Sequence, residues 1–103
     1  MEITQKNDEG TIILSLSGKL LAGEDTALLE ETVSTTLQTG HRDVVLDLTE
    51  LTYIDSSGIG ELVTCHNIVR GKKGTLKLQN IPKRIHDRLA VTHLLSVFDD
   101  EPS

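Results

Sequence analysis

The sequence predicts a single α/β domain over residues 1–103, with helices packed against a mixed sheet of four to five strands, and three observations lead there. Ile12, Leu14 and Leu16 alternate with Ile13, Ser15 and Ser17, the period of a strand with one buried face. Leu29, Val33 and Leu37 recur every four residues, with Leu28, Thr32 and Thr36 beside them and Glu30 and Glu31 facing outward, which describes an amphipathic helix. "VVLDL", Val44 to Leu48, is a short apolar run suited to a central strand covered on both faces. Together with the remaining segments these give the order β-β-α-β-α-β-α-β, whose strand-helix-strand units favour a mixed sheet.

Each element has its own justification. "ITQKNDEG" is a weaker strand running into a turn at Asp8 to Gly10, so it forms a hairpin with the strand after it. The first helix spans about Glu24 to Thr39, and Gly40 suits its C-terminal cap. Asp47 is unusual inside an apolar strand. A second helix follows "DSSG", with Ile59, Leu62, Val63, Cys65, Ile68 and Val69 at helical spacing. Arg70, Lys72 and Lys73 crowd its negative end, and Gly71 or Gly74 stops it. "TLKL", Thr75 to Leu78, alternates as a strand, and Pro82 opens a short helix in which Ile85 and Leu89 share a face. Leu94 to Phe98 is apolar again and is expected to be a short edge strand.

Composition narrows the function. A chain of 103 residues fits one domain burying roughly two-thirds of its unfolded surface. A net charge of −6, with Tyr53 and Phe98 as the only aromatics, argues against nucleic acid as a direct partner. No apolar run reaches the roughly 18 residues of a membrane span, and Met1 to Asn7 lacks a signal-peptide profile, so a cytoplasmic location is expected. Cys65, the only cysteine, cannot form an intrachain disulfide and is expected to be a buried, inert thiol. His41, His66, His86 and His93 show neither a compact metal-ligand spacing nor one that places a catalytic base. The serine stretch is not a G-x-S-x-G elbow, and "RGKKG" is not a phosphate-binding loop. No catalytic residue, metal or cofactor is therefore assigned.

The informative stretch is "YIDSSGIGEL", residues 53–62, where Ser56 and Ser57 stand between an acid and a glycine as a strand turns into a helix. Asp55, Ser56 and Ser57 are all good helix N-caps, and one of them alone would satisfy the free N–H groups. Three candidates in a row exceed that need, and Gly58 and Gly60 weaken the first turn by about 1 kcal/mol each relative to Ala. Glycines there would let another protein's backbone approach. A helix N-terminus also tolerates a phosphate.

With "GTIILSLSGKL", "VVLDLTELTYIDSSGIGELV" and "VFDD", the chain resembles the STAS domain, specifically the stand-alone bacterial anti-sigma factor antagonists, over about Ile3 to Asp99. The resemblance implies partner switching. When unphosphorylated, such an antagonist binds an anti-sigma factor that is also a serine kinase, and the sigma factor is released for transcription. The kinase phosphorylates the antagonist, and a metal-dependent serine phosphatase restores it. The modified position falls on Ser56. Asp55, Ser57, Gly58, Ile59 and Glu61, with Leu21, Gly23 and Asp25 on a neighbouring rim, would form the partner surface of a monomer. Leu21 stands where the family often has an Asp, with Glu24 and Asp25 close by, and "DDEPS" is too short for the family's usual final helix. The alternative is a STAS subunit or scaffold of a stress-signalling or membrane lipid-transport complex that does not switch. Seven of the ten basic residues lie between Arg70 and Arg88, a cluster that could dock an acidic partner or lipid headgroups or simply be a solvated face.

Overall fold

Strand β1 (Glu2–Asp8) turns directly into β2 (Thr11–Leu20), and the chemistry of the turn explains why. Glu9 and Gly10 have φ of 53° and 94°, the left-handed pair that a two-residue hairpin needs, and Asn7 accepts the Gly10 N–H at 3.0 Å. The computed structural model describes residues 1–98. Helix α1 (Glu24–Gln38), strand β3 (Asp43–Ile54), helix α2 (Ser56–Gly71), strand β4 (Thr75–Gln79), helix α3 (Lys83–Val91) and the one-turn helix α4 (Leu95–Phe98) complete the order.

The sheet order is β1-β2-β3-β4, antiparallel in the first pair and parallel in the other two. Helices α1 and α2 make the parallel crossovers and pack on each other. Their buried stripes, Leu29, Val33 and Leu37 on α1 and Leu62, Cys65 and Val69 on α2, share one core with Leu14, Leu16, Leu46, Leu48 and Leu76 of the sheet. Val45 and Asp47, on the opposite face of β3, are only half-buried. The expectation of a central strand covered on both faces therefore holds for one face, because both crossover helices lie on the same side.

β3 runs six residues past "VVLDL", and Asp47 accounts for the extension. Its carboxylate accepts the Thr49 hydroxyl at 2.6 Å, the Thr49 N–H at 3.0 Å and the Asn80 amide at 3.3 Å. The first of these bonds is the main reason its carboxyl lies below the usual carboxylate range. Ser15 pairs with Asp47 but Ser17 with Glu50, so β3 carries an extra residue at this point. The bulge returns Leu51 to the interior, and a second register shift, between Gly18 and Lys19, does the same for Ile54, the last residue before Asp55.

The one departure in element type lies at Leu94 to Phe98, expected as an edge strand and found as helix α4 from Leu95. His93, with φ of 61°, turns the chain before it. Phe98 then packs edge-on against buried His66 of α2, ring centroids 5.3 Å apart, which a strand on the sheet edge could not do. Residues 99–103, including the "DDEPS" tail, lie outside the described residues. Pro82 is the cap residue of α3 rather than its first helical residue, and Arg88 of that helix stacks 4.5 Å above the Tyr53 ring.

Candidate functional site

Two rims meet where β2 and β3 end side by side, Leu20 opposite Ile54. One is the β2–α1 loop and the other is the start of α2. Asp55 joins them. One carboxylate oxygen accepts the Gly58 N–H at 2.7 Å and caps α2, while the other accepts the Ala22 N–H at 3.0 Å from the neighbouring loop. The bond from Ala22 and then that from Gly58 hold the Asp55 carboxyl below its ordinary value. Of the three candidate caps, the acid takes the role and both hydroxyls are left over.

Ser56 and Ser57 are the first two residues of α2 and are both exposed. They sit where the backbone N–H groups and helix dipole favour added negative charge. Gly58 is buried, and a Cβ there would stand 2.5 Å from the Leu20 carbonyl oxygen and 2.8 Å from a side-chain carbon of Ile54. Its lack of a side chain thus serves packing inside the chain, not the approach of another protein's backbone. Gly60 is exposed with open space above it. Ile59 is 7% exposed and belongs to the core.

On the other rim, Gly23 precedes α1 with φ of 105°, a conformation that favours glycine, and the Thr26 hydroxyl bonds both its N–H and its carbonyl. Asp25 accepts the Leu21 N–H at 3.1 Å and the Met1 ammonium at 3.2 Å. It shapes the loop around Leu21, and its carboxylate is already committed. Glu61 faces α1 from α2, where one of its oxygens accepts the Cys65 thiol at 3.4 Å. Burial, reinforced by the neighbouring Glu30 carboxyl, raises Glu61 to about 7. Burial also pushes the Cys65 thiol well above its usual value, and the Glu61 charge adds to that.

The structure therefore brings Asp55, Ser56, Ser57, Leu21, Gly23 and Asp25 to one end of the sheet, with Glu61 a turn further along α2. Two contributors lie outside the residues that the sequence singles out: Ala22, which donates a backbone N–H, and Leu20, which roofs Gly58; Glu30 is exposed, as its outward place in the helical pattern predicts. No residue-type signal marks Ala22 or Leu20. Among the described residues, no group of three or more His, Cys, Asp or Glu is arranged to hold a metal ion, and no helix is long and apolar enough to cross a membrane.

Asp55→Ala is expected to speed amide exchange at both Gly58 and Ala22 and to lower the melting temperature at neutral pH. Because the folded carboxyl is depressed, its contribution is present above the ordinary value of 3.8 and is lost as pH falls through the folded value. The variant and the parent should thus converge in acid. A gap that stays constant down to pH 2 would contradict this.

The chain is thus a mixed four-stranded α/β domain whose second helix is capped by Asp55 and begins with an exposed serine pair at the strand-to-helix junction. The STAS domain family profile matches residues 2–102, and the chain belongs to that family. It is 26% identical over 99 residues to the anti-sigma-B factor antagonist of Bacillus subtilis, an alignment covering 96% of this chain and 89% of the relative. Among solved structures, an anti-sigma factor antagonist from Mycobacterium paratuberculosis superimposes with a TM-score of 0.79 at 19% identity, over 94% of this chain and 81% of the other. The Bacillus cell fate determinant SpoIIAA in its phosphorylated form gives 0.71 at 18% identity, over 92% and 86%.

Proposed function

We propose that the chain is a phosphorylation-controlled anti-sigma factor antagonist, acting as a binding protein rather than an enzyme. Unphosphorylated, it occupies an anti-sigma factor that doubles as a serine kinase, and the sigma factor is freed for transcription. Ser56 is the phosphoryl acceptor: its hydroxyl oxygen bonds to the γ-phosphorus of the kinase's ATP, the bond to ADP breaks, and the hydroxyl proton passes to a base on the kinase. ATP and magnesium belong to the kinase, and a metal-dependent phosphatase reverses the step. The cytoplasm is the compartment this reading requires, with a monomer as the working species.

The observation that carries this reading is the division of labour at the start of α2. Asp55 performs the capping, so the adjacent exposed Ser56 hydroxyl has no structural duty that modification would destroy. The name of the Bacillus subtilis relative, an anti-sigma-B factor antagonist, supports the antagonist part of this reading.

Phosphosite mapping of the chain recovered from its native cells, resting and stressed, with co-purifying proteins identified, tests the proposal. The expected result is a stress-sensitive phosphate on Ser56, absent in Ser56→Ala and retained in Ser57→Ala, with a kinase-like partner. Phosphate retained in Ser56→Ala and lost in Ser57→Ala would move the site. Absence of phosphate in both states, with a transporter or scaffold as the partner, would overturn the switch.

A further inference from the structure

Helix α3 turns unlike faces to the outside. Buried Ile85 and Leu89 hold it to the core. Lys83 and Asp87, one turn apart, pair at 3.1 Å, so that flank is neutral. Arg84, Arg88 and Val91 fall at i, i+4 and i+7, along a single stripe. Both arginines are exposed, and neither has an ion pair among the described residues. Like charges four residues apart weaken a helix, so the stripe does not serve the stability of α3. Val91 is 80% exposed, whereas Leu28, the other exposed large apolar residue among those described, reaches 39%.

Arg88 is nonetheless held in place. Its guanidinium lies 4.5 Å from the centroid of the half-buried Tyr53 ring, a contact that engages its face and leaves its edge donors free to fork a carboxylate. Tyr53 stands three residues before Ser56, which puts their Cα atoms within about 11 Å of each other. A protein settled on the serine rim can therefore reach the stripe.

We propose that Tyr53, Arg84, Arg88 and Val91 form a docking surface for an acidic protein segment in which carboxylates flank an apolar side chain. Charge complementarity selects that occupant: the unpaired arginines receive the carboxylates, and Val91 is covered by the apolar side chain. Tyrosine and arginine are also the residues in which binding energy concentrates at interfaces. An anionic membrane fits less well. Lipid recognition takes a cluster of about four or more cations, and the stripe carries two on a chain of net charge −6. Docking here requires no phosphate on Ser56.

Amide NMR titration of the full unphosphorylated chain tests this, with an acetylated, amidated hexapeptide of alternating glutamate and leucine as the probe. The matching lysine-leucine peptide and vesicles of phosphatidylserine with phosphatidylcholine are titrated in parallel. The expected result is a saturable shift at Tyr53, Arg84, Arg88 and Val91 with the glutamate peptide alone. Reversing both charges, Arg84→Glu with Arg88→Glu, should weaken binding by about tenfold or more, and Val91→Ser should weaken it by about fivefold. Arg88→Lys, which keeps the charge without the fork, should cost about threefold. Four results would each overturn the proposal: no saturable shift, shifts centred instead on Lys72, Lys73 and Lys77, equal binding of the lysine peptide, or binding of the vesicles without the peptide. The parent titration decides all four, so the test does not depend on a variant that folds. Neither kinase nor phosphate takes part, and failure here is distinct from failure of the serine switch.

Discussion

Gly58→Ala is expected to destabilise the fold by about 2 kcal/mol, although alanine is the better helix former. The added methyl would lie 2.5 Å from the Leu20 carbonyl oxygen, a backbone atom that cannot rotate away, and 2.9 Å from the Leu20 Cγ. Relief requires α2 to lift from β2, which would stretch both bonds made by Asp55. Gly60→Ala supplies the control within the same turn. Nothing lies within 4 Å of the Cβ it would add, so the intrinsic preference for alanine should prevail and stabilise by about 0.5–1 kcal/mol. Urea denaturation of the two variants should give shifts of opposite sign. Equal shifts would mean that the Leu20 contact does not govern Gly58.

Under the proposed function, phosphorylation of Ser56 should weaken binding to an anti-sigma kinase by about a thousandfold, the equivalent of about 4 kcal/mol. The phosphate adds about −1.5 to −2 charges next to Asp55, and a partner that buries the rim must desolvate all of them. Ser56→Asp, with one added charge, should show a smaller loss in the same direction, and Ser56→Ala should bind as the parent does. Calorimetric titration against the purified partner reads these affinities, and a phosphoprotein within threefold of the parent would exclude an electrostatic switch at this position. Far-UV circular dichroism should remain unchanged on phosphorylation, because the helix N-terminus accepts the added charge.

Elements with a long hydrophobic period were legible in the sequence. Both crossover helices appear close to their expected bounds, since Leu29, Val33 and Leu37 on one and Leu62, Cys65 and Val69 on the other each form an unbroken buried stripe. Short apolar runs were not: a strand and a one-turn helix look alike over Leu94 to Phe98, and the packing of Phe98 on His66, more than thirty residues earlier in the chain, goes with the helix. β3 was cut short for a related reason. Asp47 looks like a breach in an apolar strand until the bulge it stabilises is seen.

At the site, the sequence located the serines and the acid but not what each does. Backbone donors such as that of Ala22 carry no residue-type signature, and Gly58 looks the same in sequence whether the space it leaves is filled by Leu20 or by a partner. Glu30 and Glu61 lie on different helices, and only the packing of α1 on α2 makes them neighbours.

The two hydrogen bonds that Asp55 accepts, from Ala22 and Gly58, bear on the thermodynamics of association. A loop free to sample many shapes must surrender that entropy when a partner settles on it. Here one carboxylate has already fixed the loop against the helix, so the ordering cost was met during folding rather than at the encounter. The rim is preorganised, and contact energy gained there can appear in the lifetime of the complex instead of being consumed in arranging the surface.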